Sequence, residues 1–318
     1  MTNELMVRVA RRVEEAEGIC SFELVPREGD VLPAFSAGAH IDVHVAPGLI
    51  RQYSLSNDPS ERGRYRITVL REQNSRGGSA GMHAQVRPGD MLRVSTPRNH
   101  FALVEGQRSL LLAGGIGITP ILSMARTLHA QGRPFELHYC GRSARRMAFL
   151  EEIASAGFVR SVCLHADDVP AQKFDVQHVL AAPCDGTQLY VCGPTGFMDH
   201  VLENARRLGW PEAQLHREYF AGTATALATD GSFALRLARS GLNCTVPPGK
   251  TVIEVLAAHG VEVPTSCEAG VCGTCLTPVL EGTPDHRDTF LTDAERATND
   301  RFTPCCSRAL SPSLVLDL

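Results

Sequence analysis

The sequence predicts a multidomain chain: an antiparallel β-barrel, then an α/β domain on a parallel sheet, then a small C-terminal domain organised by cysteines. Three observations predict this. Up to about residue 103, short alternating runs are broken by Gly and Pro; from about 104 to 222, apolar strands alternate with helical stretches through glycine turns; beyond, Cys267, Cys272 and Cys275 form C-x₄-C-x₂-C, with Cys305 after 29 further residues. A chain of 318 residues accommodates two or three domains.

In the first segment (1–103), His40–Val45 and Tyr65–Leu70 read as strands, with turn signals at Pro47-Gly48 and Pro88-Gly89-Asp90. Several short strands at such spacing predict a barrel. Arg51-Gln-Tyr-Ser-Leu places an arginine, an aromatic ring and a hydroxyl on one strand end. Arginine suits a phosphate, tyrosine packs on a flat ring and Ser54 hydrogen-bonds a polar ring edge. Arg76-Gly77-Gly78-Ser79 offers bare amides beside a hydroxyl, a second phosphate contact. Either motif alone is as well read as solvent face and core. Together, ahead of a nucleotide-like domain and an iron–sulfur motif, they read as a flavin site.

In the second segment (104–222), Ser109–Ala113, Pro134–Cys140 and Leu189–Cys192 read as strands and Pro120–His129 as a helix. This alternation predicts a parallel sheet covered on both faces. Gly114-Gly115-Ile-Gly117-Ile-Thr119-Pro120 joins strand to helix. Glycines admit a pyrophosphate to the backbone, and the helix N-terminus favours its charge. Cys192-Gly193-Pro194 repeats the arrangement at a later strand. Two glycine turns at one sheet edge mark a ligand crevice, although an ordinary tight turn explains either one alone.

Residues 223–231 read as a linker, and 232–318 as the third domain, with a strand at Phe233–Ala238 and a helix at Thr251–His259. The cysteine spacing is that of plant-type [2Fe–2S] proteins. Gly270 and Gly273 sit where backbone must approach a cluster. Structural zinc favours two separated knuckles and fits poorly. Disulfides fit poorly too, because the Arg- and Glu-rich N-terminus has no secretory apolar region, which predicts a cytoplasmic, thiol-reducing setting. Cys306, adjacent to Cys305, leaves the fourth ligand open. Cys20, Cys140, Cys163, Cys184 and Cys244 read as buried small hydrophobes.

A net charge of −4 and a pI near 6.3 give no basic surface for nucleic acid, and no apolar run reaches membrane-spanning length. A hydrophobic content of 43% suffices for packed cores.

The order R-x-Y-S-L, G-G-I-G-I-T-P, C-G-P and a C-terminal plant-type cysteine loop resembles, over essentially the whole chain, the phthalate dioxygenase reductase family, whose close members include vanillate O-demethylase reductases. The resemblance implies ferredoxin–NADP reductase-like flavin and nucleotide domains followed by a β-grasp [2Fe–2S] ferredoxin domain. It implies FMN as the flavin, NADH as the donor and a Rieske-type oxygenase component as the protein acceptor. Carried over by position, it implies Arg51, Tyr53 and Ser54 at FMN, with Gly77, Gly78 and Ser79 at its phosphate. Gly114, Gly115, Gly117, Thr119 and Pro120 would receive the nicotinamide nucleotide, with Cys192, Gly193 and Pro194 near the nicotinamide. Phe220, in His216-Arg-Glu-Tyr-Phe220, would approach the flavin; Ser54, Cys192 and Phe220 are the candidate catalytic residues. Cys267, Cys272, Cys275 and Cys305 would hold the cluster, since Cys305-Cys306-Ser-Arg-Ala keeps the family frame. Arg142, with Arg145 and Arg146 nearby, stands where relatives meet the adenosine ribose, so NADPH stays open as a donor. Alternatives to an oxygenase reductase are a reductase for another redox partner and a zinc-holding binding module.

Overall fold

Alternation of apolar and polar residues builds the first sheet. Strand β1 (Glu4–Ala16) buries Val7 and Val9 and exposes Arg8. It is joined by β2 (Ile19–Pro26), β3 (His40–Ala46), β4 (Leu49–Ser54), β5 (Tyr65–Leu70) and, after helix α1 (Gly78–Gln85), β6 (Met91–Ser95). The antiparallel order is β4-β3-β6-β1-β2-β5. A bridge from Leu55 to Ile67 joins the β4 end to β5 and closes the barrel. Phe22, Leu24, Ile41, Leu55 and Ile67 fill its interior.

Continuous apolar runs build the second sheet, because helices flank it. It contains β7 (Arg108–Gly114), β8 (Phe135–Gly141), β9 (Val162–Ala166), β10 (Thr187–Cys192) and β11 (Leu215–Glu218), all parallel, in the order β11-β10-β7-β8-β9. The helices are α2 (Ile118–Ala130), α3 (Leu150–Ala154), α4 (Val176–Leu180) and α5 (Thr195–Arg207). Helix α2 buries Ile121, Leu122, Ala125 and Leu128 in a core shared with Leu111, Leu137 and Tyr139.

The computed structural model describes residues 4–73, 77–181, 186–220, 227, 229–265 and 267–318. Arg76, Cys184 and most of the expected linker lie outside the described residues. Barrel and parallel sheet together form one compact unit, Met1–Glu218; Tyr219–Leu318 forms a second. The first unit is knit internally: Arg66 on β5 donates to both oxygens of Glu152 on α3 (2.7 and 3.2 Å), and Ser123 on α2 donates to the Asn57 carbonyl (3.0 Å).

Among its described residues the second unit has a mixed five-stranded sheet, a two-stranded sheet and two short helices. Its strands are β12 (Phe233–Leu237), β13 (Asn243–Val246), β14 (Thr277–Glu281), β15 (Pro284–Asp285), β16 (Arg301–Phe302), β17 (Arg308–Ala309) and β18 (Ser313–Leu316); its helices are α6 (Val252–Ala258) and α7 (Asp293–Thr298). The main order is β13-β12-β18-β14-β16, with β12 parallel to β18. A capping box starts α6: Glu254 N–H donates to Thr251 Oγ1, and Thr251 N–H donates to the Glu254 carboxylate. The buried face of α6 is Val252, Val255 and Leu256, the stripe its spacing predicts.

The residues expected to be plain core cysteines divide. Cys20 is buried, Cys140 and Cys244 are half-buried, and Cys163 is exposed. Cys163 departs from expectation because β9 is the sheet's edge strand, where a small apolar residue need not be covered.

Arg308 is 2% exposed, and its guanidinium donates to the carbonyls of Gly231 (2.8 Å), Pro247 (3.2 Å) and Lys250 and lies 5.2 Å from the centroid of the Phe233 ring. Asp230, at the end of the expected linker, neutralises it at 3.4 Å and accepts two bonds from Arg287 (3.0 and 2.8 Å). Asp230 keeps Arg287, but the three carbonyls lose their buried donor, so Arg308→Met is expected to destabilise the second unit by about 2–4 kcal/mol. Urea unfolding followed by a probe within that unit reads this; a loss below about 1 kcal/mol would deny Arg308 that role.

Candidate active site and metal centre

The glycine turns after β7 and β10 are pressed together. A Cβ at Gly117 would lie 2.2 Å from the Cys192 carbonyl oxygen, and one at Gly193 would lie 2.9 Å from Gly114 Cα. A Cβ at Gly114 would meet Phe197 at 2.8 Å and Pro194 at 3.0 Å. Gly115 has φ of +52° with open space on its Cβ side, which leaves room at the turn itself. Thr119 and Pro120 are buried in the first turn of α2, with Thr119 Oγ1 donating to the Ile116 carbonyl (3.1 Å). The structure thus brings Gly114, Gly117, Cys192, Gly193 and Pro194 to one edge. Arg142 is exposed just beyond β8, while Arg146 is held by Glu17 at 3.4 Å.

The barrel supplies a second group. Arg51, Tyr53 and Ser54 lie on edge strand β4, and the Arg51 side chain runs against the start of α1: a Cβ at Gly78 would lie 2.5 Å from Arg51 Cγ. Gly77, with φ of +88°, caps α1 without any side chain. Ser79 Oγ accepts from the Glu72 amide (3.1 Å). Tyr53 is half-buried, and burial pushes its phenol up.

Glu218 ties these groups together and escaped the sequence reading. It ends β11 level with Cys192 on β10, and its Oε2 accepts from Ser54 Oγ at 3.3 Å. His40, opposite Ser54 on β3, has Nδ1 3.9 Å from Glu218 Oε1. The carboxyl keeps 15% exposure but is ringed by protein, and burial pushes it up to about 8 against the opposing bond from Ser54. Burial also raises the fully buried Cys192 thiol. The available signal was an acidic residue at the C-terminal end of a parallel strand, where ligands bind. Phe220, two residues further along the chain, is 39% exposed.

In the second unit, the 267–275 loop gathers its thiols without regular structure. Cys267, Cys272, Cys275 and Cys305 are all under 9% exposed. The Cys267 sulfur contacts those of Cys272 and Cys305, and the Cys305 sulfur contacts that of Cys275. Backbone N–H groups of Ala269 (3.4 Å) and Thr274 (3.5 Å) donate to Cys267 and Cys272. Contacts with the Cys272 and Cys305 sulfurs, with the amides of Val271 and Ala269, hold the Cys267 thiol well below its ordinary value. Cys306 turns elsewhere: its sulfur lies 3.2 Å from Thr303 Oγ1 and 3.8 Å from Ser307 Oγ, although it also touches Cys305. Gly270 and Gly273 have φ of +71° and +67°; a Cβ would lie 2.4 Å from Cys306 Sγ at the first and 2.2 Å from the Phe290 ring at the second. Four converging thiols with amide donors are the donor set a [2Fe–2S] cluster requires, so the residues fit the group.

Residues 235–310 match the 2Fe-2S iron-sulfur cluster binding domain family, and residues 94–215 match the N-terminal domain of the dimethylamine monooxygenase subunit DmmA-like family. The chain is 54% identical to vanillate O-demethylase oxidoreductase of Pseudomonas putida, covering 98% of each chain. It is 41% identical to a solved phthalate dioxygenase reductase described as a modular structure for electron transfer from pyridine nucleotides to [2Fe–2S], over 99% of this chain and 98% of that one, with a TM-score of 0.79. It also superposes with a TM-score of 0.85 and 39% identity on an intact type IV self-sufficient cytochrome P450 monooxygenase, covering 99% of this chain and 41% of that one.

Fold and site define an oxidoreductase of the modular pyridine-nucleotide-to-[2Fe–2S] class. Within that class the chain belongs to the phthalate dioxygenase reductase family, together with the vanillate O-demethylase oxidoreductases.

Glu218 makes stability depend on pH in a defined direction. Its folded value lies above the ordinary 4.5, so its contribution is fully present below pH 4.5 and is lost as pH rises through about 8. Glu218→Gln is expected to remove this decline. Urea midpoints of wild type and variant at about pH 5 and about pH 8 measure it; parallel changes in the two proteins would refute the assignment.

Proposed function

We propose that this chain is the NADH-dependent reductase component of a two-component Rieske-type aromatic oxygenase or O-demethylase. The observation that carries the reading is the convergence of four thiols in a chain 54% identical, end to end, to vanillate O-demethylase oxidoreductase. FMN bound at the barrel would supply the change from two-electron to one-electron transfer, and a [2Fe–2S] cluster held by the four thiols would supply single electrons for the oxygenase.

The chain's own residues bind and position. Arg51 and the start of α1 at Gly77, Gly78 and Ser79 form the FMN phosphate cradle, where a positive side chain meets a helix N-terminus. Tyr53 supports the flavin ring, Ser54 hydrogen-bonds its polar edge, and Phe220 is the candidate stacking ring. Gly114, Gly115, Gly117, Thr119 and Pro120 take the NADH pyrophosphate; Cys192, Gly193 and Pro194 border the nicotinamide. Glu218, protonated near neutral pH and bonded to Ser54, holds a proton beside that corner. Arg146 is engaged by Glu17, while exposed Arg142 and Arg145 stand as cations near the expected adenosine ribose, so NADPH stays open as a donor beside NADH. Cys267, Cys272, Cys275 and Cys305 hold the cluster, and Cys306 packs behind it.

No helix among the described residues is long and apolar enough to cross a membrane. The ten cysteines among the described residues are all free, which suits a reducing, cytoplasmic setting. A second reading, a different protein acceptor, is favoured by the similarity to the P450 monooxygenase, in which the matching part belongs to one long chain.

The absorption spectrum before and after anaerobic NADH, with released flavin identified by chromatography, tests the reading. Flavin and broad iron–sulfur bands that NADH bleaches, with FMN released, are expected; colourless protein after reconstitution with iron and FMN would refute it. Cys272→Ser is expected to abolish reduction of a protein acceptor while keeping NADH–ferricyanide turnover within about twofold. Loss of both activities would deny that the cluster acts downstream of the flavin. Cys305→Ala is expected to lose both irons and Cys306→Ala to keep them, by iron analysis; the reverse would reassign the fourth ligand.

A further inference from the structure

A second set of side chains able to ligate a metal lies on one face of β8 and β9. Glu136 and His138 are two residues apart on β8 and so share a face. Parallel pairing sets Cys163 opposite His138, and His165 opposite Cys140. One ligand atom each from Glu136, His138 and Cys163 lies within 4.8 Å of the other two. His138 is 4% exposed, Glu136 is half-buried and Cys163 is exposed, so the set opens to solvent on the thiol side.

The hydrogen bonds fix the protons. His165 Nδ1 lies 3.0 Å from the Gln172 carbonyl oxygen, which only accepts, so Nδ1 carries the proton and neutral His165 presents a bare Nε2. His138 Nδ1 lies 2.9 Å from that Nε2 and must donate to it. The other nitrogen of neutral His138, Nε2, then presents a lone pair to Glu136 Oε1, another acceptor, at 2.9 Å. Two facing lone pairs repel unless a cation satisfies both, either a shared proton on the line between them or a metal ion beside them that both coordinate. Arg108 holds the other Glu136 oxygen and so aims Oε1 at the imidazole. Phe174 packs against both rings, with centroids 6.0 and 5.2 Å away.

We propose that Glu136 Oε1, His138 Nε2 and Cys163 Sγ form a zinc-type divalent metal site, with solvent as fourth ligand. Three mixed N, S and O ligands with one open position suit Zn²⁺. His138 donating its second nitrogen to His165, itself anchored on the Gln172 carbonyl, is the orienting arrangement that metal-bound histidines use. As the Zn–S bond forms, the Cys163 thiol proton passes to solvent. The ion staples edge strand β9 to β8 and so strengthens the outer edge of the parallel sheet.

The test uses the complete flavin- and cluster-loaded protein, stripped of loose metal and titrated with Zn²⁺ alone, with zinc and iron counted after gel filtration. One zinc per chain is expected on top of unchanged iron, with a raised melting temperature. Cys163→Ser and His138→Gln are expected to weaken binding about tenfold or more, and Cys244→Ser to leave it unchanged. Cys163 is exposed, so its variant carries the test should His138→Gln misfold. No saturable zinc uptake, uptake equal in Cys163→Ser, or uptake matched by loss of iron would each overturn the site; the last would place zinc on the cluster thiols.

Discussion

Backbone packing between two turns is the constraint on which the reductase site depends. Gly117 stands where any side chain would strike the Cys192 carbonyl, and Gly193 stands against Gly114. This approach draws the C-terminal ends of β7 and β10 together, and β11 follows β10 in register. The sheet edge therefore fixes Cys192 and Glu218 side by side without help from their side chains. The barrel then needs only one strand end, Ser54 on β4, to complete the corner. The ion pairs from Arg66 to Glu152 and the shared core hold barrel and sheet in that relation. The glycines thus do two jobs: Gly115 keeps the turn open on its outer side, and Gly114, Gly117 and Gly193 let it pack closely on its inner side.

The thiol centre follows the same logic with different chemistry. Its loop has no regular hydrogen bonding, so its shape comes from positive-φ glycines and from backbone amides directed at sulfur. Gly270 is closed in by Cys306 and Asp288, and Gly273 by Phe290. Asp288 accepts the amides of Phe290 and Leu291 at 3.1 and 2.7 Å and so steadies the segment facing the loop. Cys306 therefore acts as packing behind Gly270, which gives an adjacent cysteine pair two separate structural uses.

The fold was largely legible because its signals are periodic or local. Continuous apolar strands, glycine turns and the cysteine spacing each report a backbone requirement, and helices α2 and α6 fall within two residues of the expected limits. Less legible were features set by neighbours distant in sequence. Glu218 lies 164 residues from Ser54, and nothing in His216–Phe220 marks the acid rather than the aromatic ring as the residue that meets the barrel. Cys163 looked like core because its type is usually buried, yet edge-strand position decides exposure, and strand order is not written locally. The Glu136–His138–His165 chain was invisible for the same reason, since it needs the β8–β9 register.

The state of charge at the Ser54–Glu218–Cys192 corner has a further consequence. A carboxylate and a thiolate side by side in a dry corner would repel each other and any electron-rich ligand brought there. Burial instead keeps both groups protonated near neutral pH. Protonated Glu218 can then accept from Ser54 on Oε2 and still offer an O–H to a ligand edge, whereas the ionised form accepts only. The corner thus receives negative charge without adding its own, and it does so only while Glu218 stays enclosed. Enclosure comes from the β10–β11 register and the β4 strand end, so the electrostatics of the site are set by the same backbone packing that draws the two glycine turns together.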